Sequence, residues 1–177
     1  MLYKVKLLIR TLRMWLMKPF GIQSYGLLNI PLSSEISARE NGKMILYPRV
    51  SVIGRISLTV SGGNLIIGKN SAFNRNCQIA CRGKILIGEN CQFGPNVVIY
   101  DHNHCFNYEG VIKNAYSTGS IIIEDNCWIG ANVTLLKDTF IGEGSVIGAG
   151  VILKGTIPPH SLVIGNRKYC IVPIDRY

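Results

Sequence analysis

The chain has 177 residues, of which 47% are hydrophobic and 16% are charged. This length fits one domain, and the apolar content excludes a disordered chain. No run reaches the roughly 20 apolar residues that a membrane-spanning helix needs. Aromatic residues make up only 8%, and the 19 glycines and many asparagines favour a β-rich fold with tight turns.

The formal net charge of +9 is concentrated at the N-terminus. The first 20 residues contain no acidic residue and five basic ones: Lys4, Lys6, Arg10, Arg13 and Lys18. The remaining 157 residues therefore carry only +4. That charge does not indicate a nucleic-acid partner, which usually requires a basic surface with stacking aromatic side chains, but it suits a polyanionic cofactor or substrate.

Residues 1–20 are predicted to form a basic amphipathic helix that ends at Pro19-Phe20-Gly21. At 100° per residue one face collects an apolar stripe: Val5, Leu8, Ile9, Leu12, Trp15 and Leu16. Two interpretations remain open. The stripe packs on the body or on a neighbouring subunit, or it lies in the interface of an anionic membrane.

The same segment lacks the uninterrupted apolar run of a signal peptide, because charges stand at Arg10 and Arg13. We therefore expect a cytoplasmic protein, peripheral at the inner membrane face if the helix binds lipid.

A six-residue period runs over residues 45–165, after a connecting segment at residues 21–44. Every sixth residue is aliphatic or Phe, commonly followed by Gly, with a small or β-branched residue four positions later. The series begins at Leu46, Val52 and Leu58 and continues through Ile67, Phe73, Ile79, Ile87, Phe93, Ile99, Ile123, Ile129, Leu135, Ile141, Ile147 and Leu153. A period of six fits neither a helix at 3.6 nor a strand at 2. It predicts a solenoid with three short sides per coil, in which residues 18 apart stack and Gly and Asn form the corners.

Three cysteines follow the same period. Cys77, Cys91 and Cys127 occupy the position where other hexads place Ser, Val or Thr, and the six cysteines contain no CxxC pair. They are predicted to be small buried residues of a reduced protein and not disulfide partners.

Hexads such as Ile67-Gly68-Lys69-Asn70-Ser71-Ala72 and Ile129-Gly130-Ala131-Asn132-Val133-Thr134 resemble those of the hexapeptide-repeat acyltransferases, over about residues 45–172. The resemblance implies an all-β, left-handed parallel β-helix that usually forms a homotrimer. Residues 166–177 would then be a C-terminal tail.

The six-residue period fails between Ile99 and Ile123, and we predict an extruded loop at residues 100–122 that carries the function. Two of the three histidines, His102 and His104, lie there, next to Asp101. A metal is not expected, because the third histidine is far along the chain, and nothing marks the neighbouring Cys105 as an activated nucleophile. A neutral imidazole acting as a general base remains.

The chain is similar to the galactoside and maltose acetyltransferase branch, including its polysaccharide-modifying relatives, and this resemblance selects His104 as that base. In that branch the catalytic histidine follows a Pro-Asn by eight residues and precedes a Trp-Ile-Gly by 24. Here the same spacings run from Asn96 to His104 and from His104 to Trp128. His102 or Asp101 would orient the imidazole.

The resemblance also implies acetyl-CoA as acyl donor and assigns residues to the two substrates. The cofactor groove would contain Trp128, Gly130, Ala131, Gly148, Ala149, Lys154, Arg167 and Lys168. The acceptor side would contain Asn74, Arg82 and Tyr100. Both assignments have a purely structural alternative: Trp128 caps a coil, and Gly148-Ala149 only forms the bend between strands. Arg82 stands where relatives place an acceptor-binding Asp, which argues against a simple galactoside or maltose acceptor.

Together these features predict an O-acetyltransferase that moves acetyl from acetyl-CoA to a sugar hydroxyl. The expected context is a bacterial surface polysaccharide (capsule, lipopolysaccharide or exopolysaccharide), with a sugar or lipid-linked oligosaccharide as acceptor. Two alternatives remain: an N-acetyltransferase acting on an amino sugar or sugar nucleotide, and a non-catalytic β-solenoid scaffold.

Overall fold

The computed structural model describes residues 2–165, which form a β-solenoid preceded by one helix. Helix α1 spans Leu2–Leu16, and a 3-10 turn at Lys18–Phe20 follows it. Gly21 ends that turn in the left-handed conformation (φ 81°), where its missing side chain removes the steric penalty. The predicted N-terminal helix is thus confirmed.

Nineteen strands follow in the described part of the chain. The first are β1 (Ile22–Ser24), β2 (Glu35–Arg39), β3 (Lys43–Leu46), β4 (Ser51–Val52), β5 (Ile56–Ser61), β6 (Asn64–Ile67), β7 (Ala72–Phe73), β8 (Cys77–Cys81), β9 (Lys84–Ile87), β10 (Gln92–Phe93) and β11 (Val98–Tyr100). The others are β12 (His102–Asn107), β13 (Gly110–Thr118), β14 (Ser120–Ile123), β15 (Trp128–Ile129), β16 (Thr134–Ile141), β17 (Val146–Ile147), β18 (Ile152–Ile157) and β19 (Leu162–Val163).

The strands stack in parallel on three faces over about six coils. The first face contains β1, β3, β6, β9 and β14, the second β4, β7, β10, β15, β17 and β19, and the third β2, β5, β8 and β11. Strands β16 and β18 bend round a corner, so that their first halves continue the third face and their second halves the first face. The predicted parallel solenoid is confirmed.

The stacking of residues 18 apart is confirmed in the C-terminal coils, where Leu135 lies opposite Leu153 and Ile129 opposite Ile147. The N-terminal coils are longer, since Ile79 pairs with both Leu58 and Ile99. The inward residues predicted from the period are buried. Each buried aliphatic side chain contributes roughly 1.5–3 kcal/mol relative to exposure, so the column of these residues supplies most of the driving force for folding.

The buried interior also contains an aromatic pair and three thiols. The rings of Phe73 and Phe93 stack with centroids 4.3 Å apart. Cys77, Cys91 and Cys127 are free and buried, as predicted from their position in the hexad.

The coils begin before the predicted boundary at residue 45. Ile22 pairs with Met44, and Glu35 pairs with Ser57, so the segment assigned as a connector forms a first coil. The period does not reveal this coil because an isolated bridge from Asn29 to Ser51 replaces its middle strand. A terminal coil packs on one neighbour only, which relaxes the need for the repeat.

Asparagine and glycine have different roles at the corners. Eight asparagines of the described residues adopt φ between 57° and 62°: Asn41 and Asn114, and within the hexads Asn70, Asn76, Asn90, Asn96, Asn126 and Asn132. The glycines after the inward residues do not need that conformation. A Cβ on Gly130 would lie 2.7 Å from the Ala149 nitrogen, so these glycines instead permit close approach of the next coil.

Helix α1 closes the N-terminal end of the solenoid. Met14 is only 1% exposed, and the Arg13 guanidinium donates to the carbonyls of Leu32 and Ser34 at 3.0 Å each. The Thr11 hydroxyl accepts from the Leu28 N–H at 3.2 Å. These contacts come from the side of the helix opposite the apolar stripe.

The apolar stripe of α1 faces solvent. Its six side chains are between 46% and 64% exposed. The interpretation that the stripe packs on the body of its own chain is therefore wrong, and a neighbouring subunit or a membrane remains. No helix within residues 2–165 is long and apolar enough to span a membrane.

Candidate functional site

The interruption of the repeat is an antiparallel hairpin formed by β12 and β13. His102 lies opposite Thr118, and His104 lies opposite Tyr116. Since alternate residues of a strand point to the same side, both histidines project from one side of the hairpin.

Asp101 anchors this hairpin to the solenoid. Its side chain is fully buried, and its two carboxylate oxygens accept the backbone N–H groups of Arg82 and Gly83 at 2.8 Å each. Its carbonyl accepts the N–H of Gly119 at 2.7 Å. A Cβ on Gly83 would lie 2.4 Å from the Gly119 oxygen, so the glycine is required for the hairpin base to sit against the preceding coil.

The same carboxylate orients one histidine. Asp101 Oδ1 lies 3.1 Å from Nδ1 of His102, whose side chain is 15% exposed. Because a carboxylate only accepts, Nδ1 of His102 donates the hydrogen in this contact, and in a neutral imidazole the lone pair is then on Nε2. Of the two histidines, Asp101 therefore positions His102 directly.

Both histidines open onto a cavity of about 190 Å³. Its lining consists of Thr59, Ser61, Ala80, Cys81, Arg82, His102, His104 and Tyr116. The Tyr116 ring lies at its centre, 4.8 Å from the ring of His104 and 5.6 Å from that of His102. The Arg82 guanidinium carbon lies 3.6 Å from the centre of the same ring. The cavity thus combines imidazole, guanidinium and hydroxyl groups, which suits an acceptor rich in hydroxyls.

The cysteine in this cavity is poorly suited to act as a nucleophile. Burial, and after it the negative charge of Asp101, raises the pKa of the Cys81 thiol far above its usual range. Burial likewise raises the pKa of Cys77. Because the thiolate is the reactive form, covalent catalysis by these thiols is disfavoured.

The three predicted acceptor residues do not lie together. Arg82 lines the cavity. Tyr100 lies beside it, with its ring 6.3 Å from that of His102, and its hydroxyl donates to Gln78 at 2.9 Å. Asn74 follows β7 on the second face and does not line the cavity, and its side-chain oxygen accepts the N–H of Arg75.

Sequence reasoning missed Tyr116, Thr59 and Ser61. Tyr116 belongs to the site through its pairing with His104, which becomes visible only when residues 100–122 are recognised as a hairpin. Thr59 and Ser61 are alternate, outward-pointing residues of β5, a coil that precedes the interruption by some 40 residues.

The predicted cofactor residues lie elsewhere on the solenoid. Trp128 is 57% exposed on the second face, between Gln92 and Val146. The Gly130-Ala131 and Gly148-Ala149 pairs follow that face in consecutive coils. Lys154 is exposed on β18. Arg167 and Lys168 lie outside the described residues.

Two backbone N–H groups of the predicted cofactor residues are already used between coils. The N–H of Gly130 donates to the Ile147 carbonyl at 2.7 Å, and that of Gly148 donates to the Val163 carbonyl at 2.8 Å. Both groups serve the stacking of coils, and no oxyanion contact is assigned to them.

The histidine cavity and the Gly130-Ala131 and Gly148-Ala149 pairs occupy different corners of the coil. The hairpin leaves the solenoid after β11, between the third and first faces, whereas Gly130 and Gly148 lie between the second and third faces. None of the predicted cofactor residues within 2–165 lines the cavity. One chain by itself therefore does not bring the two groups together.

The described residues contain no cluster of three or more His, Cys, Asp or Glu side chains arranged to hold a metal ion.

Comparison with known proteins agrees with this architecture. The bacterial transferase hexapeptide family (six repeats) matches residues 120–155. "Putative acetyltransferase SACOL2570" of Staphylococcus aureus strain COL is 41% identical over 114 residues, which cover 64% of this chain and 57% of that protein. "Putative acetyltransferase C18B11.09c" of Schizosaccharomyces pombe is 38% identical over 114 residues, which cover 64% of this chain and 55% of that protein. The chain thus matches little more than half the length of these relatives.

Solved structures share the fold. The hexapeptide-repeat containing acetyltransferase VCA0836 of Vibrio cholerae superimposes with a TM-score of 0.57 at 23% identity, over 82% of this chain and 69% of its own. A single-residue mutant of AntD, an N-acyltransferase of Bacillus cereus, superimposes with a TM-score of 0.56 at 17% identity, over 84% of this chain and 82% of its own.

Proposed function

We propose that this β-solenoid, which matches the bacterial transferase hexapeptide family at residues 120–155, is an acetyltransferase that O-acetylates a sugar hydroxyl with acetyl-CoA as donor. The observation that carries this proposal is the pair of histidines on an anchored hairpin, beside a cavity that contains hydroxyl groups. The named acetyltransferase relatives support the reaction class. A second structure of the Vibrio protein, complexed with acetyl coenzyme A, supports the donor.

The chemistry requires one proton acceptor. The imidazole of His104 removes the proton from the acceptor hydroxyl while that oxygen attacks the thioester carbonyl carbon. The tetrahedral intermediate collapses, the C–S bond breaks, and the imidazolium returns its proton to the leaving thiolate. The products are the acetyl ester and CoA thiol, and the histidine is neutral again.

We assign the base to His104 because it is the accessible imidazole. His104 is exposed, and within residues 2–165 the structure shows no hydrogen bond to its ring, so its nitrogens are open to substrate. His102 is held by Asp101 and stabilises the hairpin that presents His104. His102 is the second candidate, since an Asp-oriented imidazole with a free Nε2 also fits a general base.

Paired variants separate these assignments. CoA thiol release is measured with a panel of sugars for wild type, His104→Ala and His102→Ala, with His160→Asn as control, because His160 stands at a corner (φ 56°) where other coils place Asn. We expect His104→Ala to lose roughly 10²–10⁴ in rate with an unchanged melting temperature. A loss confined to His102→Ala moves the base to His102, and activity in both variants contradicts the proposal.

N-acyl transfer to an amino sugar is the second candidate function. It is favoured by the likeness in fold to AntD, whose structure contains dTDP-4-amino-4,6-dideoxyglucose and coenzyme A. An amine is a stronger nucleophile than a hydroxyl and depends less on a base. If the His104→Ala variant still acylates amino sugars, N-acyl transfer is favoured. If wild type prefers hydroxyl acceptors, N-acyl transfer is excluded.

The separation of the histidine cavity from the cofactor residues supports a homotrimer in which each site lies between two subunits. Inactive His104→Ala and Trp128→Ala proteins are mixed after partial dissociation. Mixed oligomers would regain activity if the two residues act from different chains, and no recovery contradicts the shared site.

The exposed stripe of α1 and its basic flanks support peripheral contact with an anionic membrane from the cytoplasmic side. The acceptor would then be a lipid-linked oligosaccharide of surface polysaccharide synthesis. The stripe does not pack on its own chain, and Lys4, Lys6 and Lys18 flank it. This combination of exposed apolar side chains and positive charge suits an anionic lipid surface better than a protein surface of mixed charge.

A further inference from the structure

We propose that Arg82 binds an anionic group of the acceptor, a carboxylate or a phosphate, and so selects acidic sugars over neutral ones. The inference rests on the acetyl transfer proposed above, because it concerns the acceptor of the same cavity.

The position of Arg82 is fixed at both ends. Its backbone N–H donates to buried Asp101 at 2.8 Å, and its guanidinium stacks 3.6 Å from the centre of the Tyr116 ring. Stacking occupies the face of a guanidinium and leaves its edge N–H groups directed outward. The side chain is 24% exposed, so it is largely held by the protein and still accessible from the cavity.

The charge around Arg82 favours an anion. The residues that line the cavity include one guanidinium and two imidazoles and no acidic side chain. The carboxylate of Asp101 lies below the cavity and is used by two backbone N–H groups and His102.

The ion pair of Arg82 within the described chain is weak. Its Nη1 lies 3.5 Å from Oε2 of Glu40, whose side chain is 63% exposed. Such long, exposed pairs contribute little to stability. A ligand carboxylate or phosphate that binds the guanidinium through two parallel hydrogen bonds is stronger and can displace Glu40.

The anion and the reacting hydroxyl are close enough to belong to one sugar residue. Arg82 and His104 pack on the same Tyr116 ring. A sugar bound in the cavity beside that ring can place its acidic group at Arg82 and a hydroxyl at His104. An uronic acid and a sugar phosphate both meet this requirement.

The test compares a neutral sugar, its uronic acid and its phosphate as acceptors. Steady-state KM and kcat are measured for wild type, Arg82→Gln and Arg82→Lys, with Arg75→Gln as a control that removes an equal, exposed charge at another corner. We expect Arg82→Gln to raise KM for the acidic acceptors by about 10–100-fold and to change the neutral one less than about threefold. Arg82→Lys should recover phosphate better than carboxylate, because a lysine ammonium binds the more highly charged phosphate as a point charge but cannot replace the planar bidentate pair with a carboxylate.

Glu40→Gln should change KM for the acidic acceptors in the direction opposite to Arg82→Gln. Removing the competing carboxylate should lower KM for the acidic acceptors by about two- to fivefold. Arg75→Gln should leave all three acceptors unchanged, and circular dichroism should show the same melting for all variants.

The failures of the two proposals are distinguishable. If neutral and acidic sugars are acetylated equally and Arg82→Gln affects neither, the selection by Arg82 is wrong while acetyl transfer stands. If no acceptor is acetylated, acetyl transfer is wrong, and titration of the uronic acid and the phosphate by NMR then decides whether Arg82 binds anions. Equal weak binding by wild type and Arg82→Gln in that titration overturns the inference.

Discussion

The coils of the solenoid and the two elements attached to them are held by different interactions. The coils are held by a column of inward apolar residues repeated about six times, so that each contact has several equivalents. The hairpin β12–β13 is held at its base by the carboxylate and carbonyl of Asp101, and α1 by Met14 and a few polar contacts. The repeat therefore supplies stability, while single, unrepeated contacts decide where the functional groups stand.

Truncating a buried side chain of the coils should give the largest difference in stability between the coils and the hairpin. Phe73→Ala removes a fully buried ring that stacks on Phe93, and we expect a loss of about 3–5 kcal/mol in the free energy of unfolding. The matched variant Phe106→Ala lies on the hairpin, where the ring is 77% exposed, and should change stability by less than about 0.5 kcal/mol. Urea denaturation measures both. Equal losses would mean that the hairpin packs on the solenoid more extensively than the structure shows.

Asp101→Asn should break the attachment of the hairpin. One carboxylate oxygen becomes an amide donor facing a backbone N–H, so we expect a loss of about 1–3 kcal/mol in stability. Activity should fall roughly 10²-fold because the hairpin that presents His104 loses its anchor and the imidazole is misplaced. Asp138→Asn, at an exposed position with φ 66°, is the control and should be close to wild type in both measurements. Full activity in Asp101→Asn would show that the anchor has no part in placing the histidines.

The double variant Leu8→Glu/Leu12→Glu tests what α1 contacts. Each apolar side chain buried in lipid contributes roughly 1.5–3 kcal/mol, so losing two should reduce binding to phosphatidylglycerol-containing vesicles more than about tenfold. Ile53→Glu changes an exposed apolar residue of the body and should bind vesicles as wild type does. Co-sedimentation at low and high salt measures the binding. Unchanged vesicle binding with a smaller oligomer on gel filtration would instead assign the stripe to a subunit interface.

Thiol reactivity gives the smallest effect. Cys105 on the hairpin is half-buried, whereas Cys77 and Cys81 are buried with raised pKa values. A raised pKa leaves less thiolate at any given pH and burial blocks access, so alkylation should modify Cys105 and leave the other two unmodified in the native state. Peptide mapping after brief iodoacetamide treatment measures this. Early labelling of Cys81 would mean that the hairpin opens readily.

The parts that follow the six-residue period could be predicted in detail from the sequence. Residues related by the period meet one coil later in the same register, so the burial of Ile129 and Leu135 and their pairing with Ile147 and Leu153 follow from spacing alone. The location of the histidine hairpin at the interruption is predictable for the same reason. Where the period stops, as in the first coil at residues 22–39, spacing carries no information, and the predicted boundary at 45 was too late.

The sequence by itself determined the repeat, its interior and the segment that carries the histidines. Only the tertiary structure decided that Asp101 holds His102, that Tyr116 joins Arg82 to the histidines, that the N–H of Gly130 is used between coils, and that the stripe of α1 faces outward. The physical reason is the range of the contacts. Stacking contacts repeat at a fixed interval, so the residue types at that interval encode them. The site instead joins β5, the turn after β8, β12 and β13 through hydrogen bonds and ring contacts that occur once and have no period to reveal them.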